Sequence, residues 1–144
     1  MGAKADVERV MYEGRELAIM VPAGYRSDGI SFFTDPAYSQ QLAYMRRPAG
    51  YNIDAHVHND LAREVRYTLE TLIVRSGRVR LDLYGDNREF VRSLELGAGD
   101  IVLLASGGHG ITVLEEAEIV EVKQGPYAGD EDKTRFSPPA ATGQ

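Results

Sequence analysis

The sequence contains no cysteine and only three histidines. The absence of cysteine excludes a disulfide framework, a thiolate metal site and a cysteine nucleophile, so any chemistry must come from histidine, carboxylate, tyrosine or serine side chains. The sequence also has no cluster of basic residues, and its 16 Lys and Arg against 22 Asp and Glu give a formal net charge of −6. We therefore expect neither nucleic acid nor an anionic membrane as a partner.

Long hydrophobic runs are missing as well. Runs such as residues 101–105 are too short to cross a bilayer, and four acidic residues interrupt the first twenty positions, unlike a secretory signal. We therefore expect a cytoplasmic protein. The 144 residues, 43% hydrophobic and 26% charged, are typical of one globular domain. We assign that domain to residues 1–136 and interpret residues 137–144 as a flexible C-terminal tail.

Short apolar runs, rich in Val, Ile, Leu and Tyr and separated by Gly, Asp, Asn or Pro, predict an all-β protein. Tight turns are expected at Ser76 and Gly77, at residues 85–87 and at residues 97–100. One short helical turn is expected within residues 60–69, where apolar side chains recur four apart. The predicted strands are residues 7–12, 16–21, 30–34, 41–47, 54–58, 69–76, 78–84, 89–96, 101–105, 110–115 and 118–124.

Several common functional motifs are absent. The Gly-rich residues 106–110 lead into a strand and lack the Lys-Ser/Thr ending of a phosphate-binding loop. Ser106 has no nucleophile-elbow motif around it, and the acidic residues 130–132 lack the spacing of a calcium-binding EF-hand loop. The glycines before His109 are therefore interpreted as a turn that presents this histidine.

Two of the three histidines, His56 and His58, flank Val57 in a predicted strand. Residues two apart in a strand point to the same face, so the two imidazoles can chelate one metal ion. Simple alternation allows another interpretation, in which Ala55 and Val57 face inward and the histidines form a solvent-exposed pair.

The spacing around these histidines resembles the first motif of the metal-binding cupins. Five residues separate Gly50 from His56, His58 follows, and six residues separate Glu70 from Gly77. A second group, formed by Gly99, Ala105, Gly107 and His109, is similar to the second cupin motif. The resemblance covers about residues 40–124, and it implies a cupin-type double-stranded β-helix, or jelly-roll barrel. The resemblance also implies a divalent metal whose ligands are His56, His58, Glu70 and His109.

The carboxylate ligand has an alternative. Eleven residues lie between His58 and Glu70, and Glu64 lies within that insertion. We favour Glu70, because it opens a strand with Leu72 and Val74 on its own face. Glu64 lies instead in a polar stretch that is more typical of a solvated loop.

A set of nitrogen and oxygen ligands without thiolate suits Zn, Mn, Fe or Ni. The resemblance implies a metal-dependent enzyme of oxygenase, isomerase or epimerase, or lyase type, acting on a small polar or anionic metabolite. The alternative is a non-catalytic cupin that binds or senses a sugar or an organic acid. Whether the protein is an enzyme at all stays undetermined, because one fold hosts many functions.

Other side chains are weaker candidates. Tyr44, Arg46 and Gln124 are candidate catalytic residues, although Tyr44 as filler, with Arg46 and Gln124 on the surface, is the commoner arrangement for such a pattern. The insertion, residues 59–69, is a candidate lid in which Arg63 and Arg66 contact an anionic ligand, although a solvated loop is the commoner outcome for such a stretch.

Two further expectations concern packing. The segment after the last predicted strand is expected to pack back over the barrel, with Tyr127 and Phe136 as anchors. A homodimer is also expected, because cupins commonly pair through exposed strands and Ile73 lies beside Arg75 on an outward face.

Overall fold

The structure, a computed structural model, describes residues 6–139, so residues 140–144 of the predicted tail lie outside the described part. No helix in that part is long and apolar enough to cross a membrane. Helical structure between residues 6 and 139 is confined to one 3₁₀ turn, Gly129–Asp132. The strands of this part are β1 (Glu8–Tyr12), β2 (Arg15–Val21), β3 (Gly29–Phe32), β4 (Ala43–Arg46), β5 (Glu70–Tyr84), β6 (Phe90–Gly97), β7 (Ile101–Leu104) and β8 (Gly108–Lys123).

Six of these strands form one curled antiparallel sheet, a half-barrel, with the order β1-β2-β7-β5-β6. β8 pairs with the other edge of β5 along almost its whole length, from Glu70 opposite Lys123 to Tyr84 opposite Gly108. β3 and β4 form a separate two-stranded sheet. The prediction of an all-β protein is confirmed.

β2 is buried on both faces, which explains why its sequence is continuously apolar instead of alternating. Ala18 and Met20 point into the main core inside the curled sheet. Ile19 and Val21 point the other way, into a second apolar cluster that includes Phe33 from the end of the small sheet. The second cluster holds the small sheet against the half-barrel, since each fully buried large apolar side chain contributes about 1.5–3 kcal/mol.

β5 and β8 both bend sharply near their middles. The pairing register shifts three times between Val74 and Val79, and Gly77 has a φ of 81°. A Cβ at Gly77 would overlap the carbonyl oxygen of Glu116 and lie 2.6 Å from the Cα of Ala117. Only glycine fits this position, because the backbone of β8 lies directly against Gly77 there.

This bend corrects one prediction from the sequence. Ser76 and Gly77 do not form a hairpin turn, and residues 69–76 and 78–84 are not two strands. The glycine instead kinks a single long strand, and residues 110–115 and 118–124 likewise merge into β8. The turns expected at residues 85–87 and 97–100 are confirmed, since they connect β5 to β6 and β6 to β7.

Two other predictions within the described part are wrong. Residues 54–58 form no strand, and residues 60–69 form no helical turn. All residues from 45 to 68 are exposed. A strand requires a hydrogen-bonded neighbour, and no described strand of the same chain lies beside residues 54–58.

We predict that Gly77→Ala destabilises the protein more than Gly14→Ala. Both glycines have a φ near 80°, but a Cβ at Gly14 has no atom within 4 Å. Both substitutions therefore incur about 1–2 kcal/mol of left-handed strain, and only Gly77→Ala adds overlap with β8, about 1–3 kcal/mol. Urea unfolding measures the difference. Equal losses for the two variants would contradict the backbone contact at the bend.

Candidate functional site

The bend brings together two candidate ligands that strand pairing alone would keep apart. Glu70 opens β5, whereas His109, near the start of β8, pairs with Leu83 close to the other end of β5. In a straight strand Glu70 and Leu83 would be roughly 43 Å apart. In the curled sheet, His109 Nε2 lies 3.4 Å from Glu70 Oε2.

The surroundings of this pair favour the ionised form of Glu70. The Glu70 side chain is only 12% exposed and that of His109 is 33% exposed. Hydrogen bonding by His109 lowers the pKa of Glu70, outweighing the opposing effect of burial, and Lys123 lowers it further. Glu70 is therefore ionised at neutral pH, the form in which a carboxylate binds metal.

The pair faces an open cavity of about 520 Å³. Tyr84 lies in its wall, and the backbone of Gly107 turns His109 towards it with a φ of 74°. Lys133 and Arg135 bring positive charge to the rim. The lining residues from the C-terminal segment are Asp132, Lys133, Thr134, Arg135, Phe136 and Pro138.

Phe136 anchors the C-terminal segment beside the cavity, as expected from the sequence. Its ring packs edge-on against Tyr84, with ring centroids 5.2 Å apart, and lies under the guanidinium of Arg88. Gly108 leaves room for it, since a Cβ there would lie 3.1 Å from the ring. Tyr127 is not an anchor, because it is 91% exposed.

A polar contact holds the same segment closer to the strand ends. The carboxylate of Asp132 pairs with Lys123 at 3.1 Å and accepts a hydrogen bond from the hydroxyl of Thr68. The Thr68 bond and then Lys123 lower the pKa of Asp132, and Asp132 raises the pKa of Lys123. Asp132 is thereby engaged as an anion beside the cavity.

His56 and His58 lie apart from this pair within the single chain. Both are in the exposed segment between β4 and Leu69, with ring centroids 5.2 Å apart, and His56 Nδ1 bonds the carbonyl oxygen of Asp54 at 2.7 Å. Within residues 6–139, no three or more His, Asp or Glu side chains of one chain are grouped closely enough to hold a metal. The structure therefore brings together two of the four predicted ligands.

The weaker candidates fall outside the cavity. Tyr44 packs edge-on against Tyr25 in the second apolar cluster, and Arg46 is an exposed side chain 3.8 Å from Asp28. Gln124 uses its backbone N–H to bond Leu69, and its side chain bonds the carbonyl of Gly125. None of the three candidates lines the space in front of Glu70 and His109.

Arg63 and Arg66 line a neighbouring cavity of about 550 Å³. Its other wall is the start of the C-terminal segment, residues 123–128, and it shares Thr68 and Asp132 with the first cavity. The two arginines thus lie on the approach to the candidate site. Glu64, the alternative carboxylate, is exposed in the same stretch.

Sequence reasoning missed Lys133, Arg135 and Tyr84 as cavity residues. No motif marks them, because they reach the cavity through the packing of Phe136 and the curl of β5. The one available signal was the predicted packing of the C-terminal segment over the barrel.

Comparison with protein-family models, with curated proteins and with solved structures gave no match.

Proposed function

We propose that this chain is a metal-binding protein of the cupin type, with a jelly-roll barrel and one divalent transition metal among Zn, Mn, Fe and Ni. The proposed ligands are Glu70, His109, His56 and His58. The observation that carries the proposal is the 3.4 Å approach of Glu70 and His109 across the bend, at the mouth of a cavity.

The donor set fits such a metal. An ionised carboxylate and an imidazole face the same open space, and the other two imidazoles lie in the segment that ends at Leu69, next to Glu70. Imidazole and carboxylate without thiolate are ligands for these metals. Four protein ligands leave one or two positions open on a five- or six-coordinate ion.

We propose that the protein is a metal-dependent enzyme acting on a small polar or anionic metabolite. When bound, the metal would polarise a carbonyl or activate water. Lys133 and Arg135 attract an anionic group at the rim and orient it, since both line the cavity. Phe136 and Tyr84 form an aromatic wall on one side, and Arg63 and Arg66 guide the anion along the neighbouring cavity.

One observation favours the alternative function, non-catalytic binding of a sugar or an organic acid. Apart from His109, the described lining of the cavity contains no side chain that ordinarily titrates near neutral pH. If His109 holds the metal, Tyr84 and Asp132 are less suited to general acid–base work at neutral pH, because burial raises the pKa of Tyr84 and the Thr68 hydrogen bond lowers that of Asp132. The substrate determines whether such an enzyme acts as an oxygenase, an isomerase or epimerase, or a lyase.

We predict that Glu70→Gln and His109→Ala each lower metal affinity at least 100-fold, because loss of an outer-shell partner alone costs about 10–100-fold. The measurement is metal content after purification, with calorimetric titration of Zn²⁺ and Mn²⁺ into chelator-treated protein. Glu64→Gln is the matched control and retains wild-type affinity. Loss of binding in Glu64→Gln but not in Glu70→Gln would show that the carboxylate assignment is wrong.

We also predict that Lys133→Ala combined with Arg135→Ala weakens oxalate binding to the metal-loaded protein by about 1–3 kcal/mol, since two charge-assisted contacts are lost. Arg63→Ala combined with Arg66→Ala is expected to reduce the association rate more than the affinity, because these residues lie on the approach. Stopped-flow and calorimetric titrations measure the two effects. Wild-type affinity and rate in both double variants would refute a cationic rim.

A further inference from the structure

The segment between β4 and Leu69, residues 47–68, is here called the arm. Every residue of the arm is exposed, although it carries large apolar side chains. Val57 is the most exposed of them, at 86%. The arm's exposed large apolar residues are Tyr51, Ile53, Val57, Leu61, Val65 and Tyr67.

The outer part of the arm bonds only to itself. The Tyr51 N–H donates to Pro48, the Asn52 amide donates to Asp54, and His56 bonds the backbone of Asp54. Among residues 48–62, the structure shows no hydrogen bond or ion pair to the curled sheet. This stretch is therefore exposed and has no hydrogen bond or ion pair that fixes it to the curled sheet.

A complementary surface lies on β8. Within the described part of the chain, β8 pairs with β5 alone, so its second edge carries unpaired backbone groups. Apolar side chains on both of its faces are also exposed. They are Ile111, Val113, Leu114, Val120 and Val122.

Both surfaces are unfavourable in an isolated chain. An open strand edge beside exposed apolar residues is a ready template for another strand, and exposed apolar area of this extent marks an interaction site. Charge does not oppose the contact, because the arm is neutral overall, with Arg47, Arg63 and Arg66 balanced by Asp54, Asp60 and Glu64. The exposed acidic residues of β8 include Glu116, Glu118 and Glu121.

We propose that the arm of one copy adds as a strand to the free edge of β8 of a second copy, and that the second copy does the same in return. The exchange is symmetric, so one twofold interface covers both arms and both β8 edges. An out-and-back loop of this length extends roughly 35 Å, which is sufficient to reach a neighbouring molecule.

In this exchange, the partner copy contributes two ligands to the metal site. His56 and His58 are carried on the arm, and β8 begins next to His109. Each site then consists of Glu70 and His109 from one copy and the two arm histidines from the other. This step rests on the proposed metal-binding function, whereas the exchange of the arm does not.

The first experiment tests the exchange without metal. Sedimentation in the presence of a chelator is expected to give twice the mass of one chain for the wild type. Ile53→Asp combined with Val57→Asp is expected to give the mass of one chain, with a β-sheet circular dichroism spectrum that loses only the contribution of the strand that the arm forms in the dimer. Tyr127→Asp is the control, because Tyr127 is also highly exposed but lies outside the arm, and this variant is expected to stay dimeric.

The second experiment asks which copy supplies the histidines. One variant carries His56→Ala and His58→Ala, and the other carries Glu70→Gln and His109→Ala, so neither binds Zn²⁺ alone. When the two are unfolded together and refolded as an equal mixture, half of the dimers are mixed and one site in each is complete. About a quarter of the wild-type Zn²⁺ content is therefore expected in the mixture.

The outcomes separate the two proposals. A monomeric wild type, or a dimer that survives the arm substitutions, overturns the exchange whether or not metal binds. A dimer broken by the arm substitutions, in a wild type without affinity for Zn²⁺ or Mn²⁺, supports the exchange and overturns the metal site. A dimeric wild type that binds Zn²⁺ with no recovery in the mixture shows that each copy uses its own histidines, which overturns the shared site.

Discussion

The bend at the middle of β5 and β8 is the constraint on which the rest of the structure depends. Gly77 allows the backbone of β8 to approach β5 closely at the bend, and the two paired strands then curl so that their distant ends meet. Without the curl, Glu70 and His109 would lie tens of ångströms apart instead of 3.4 Å. The same curl encloses the main core and opens the cavity beside Tyr84. The close contact that Gly77 permits thus lies at the bend on which both the half-barrel and the candidate site depend.

The site also depends on two features of the described chain, an unpaired strand edge and an unpaired segment. The half-barrel ends at β8, whose outer edge has no partner within residues 6–139, and the chain that carries His56 and His58 lies unpaired. These two features have one physical cause, since a strand forms only beside a hydrogen-bonded neighbour. Completion of the barrel and completion of the donor set are therefore the same event in the account proposed here.

Much of this fold is predictable from local sequence, because turn residues and apolar runs act over short distances. The glycines at residues 97–100 and the continuous apolar run of β2 are examples. Gly77 shows the limit: a glycine in an apolar pattern predicts a turn or a kink equally well, and only contact with Glu116 decides between them. Residues 54–58 show a second limit, because alternation identifies a segment able to form a strand but not the neighbour that it needs. Glu70 could be preferred over Glu64 because it lies at the start of a predicted strand. Lys133 and Arg135, in contrast, have no local sequence feature that marks them as cavity residues.

The most direct measurement is a crystal structure of the protein grown with Mn²⁺ or Zn²⁺, with an anomalous-scattering map to locate the ion. The account predicts one ion within about 2.0–2.2 Å of His109 Nε2 and of a Glu70 carboxylate oxygen, with His56 and His58 of a second copy completing the ligand set. An ion elsewhere, or arm histidines more than about 8 Å from His109 in every copy, would contradict it, since ligands to one ion must lie within two bond lengths of each other.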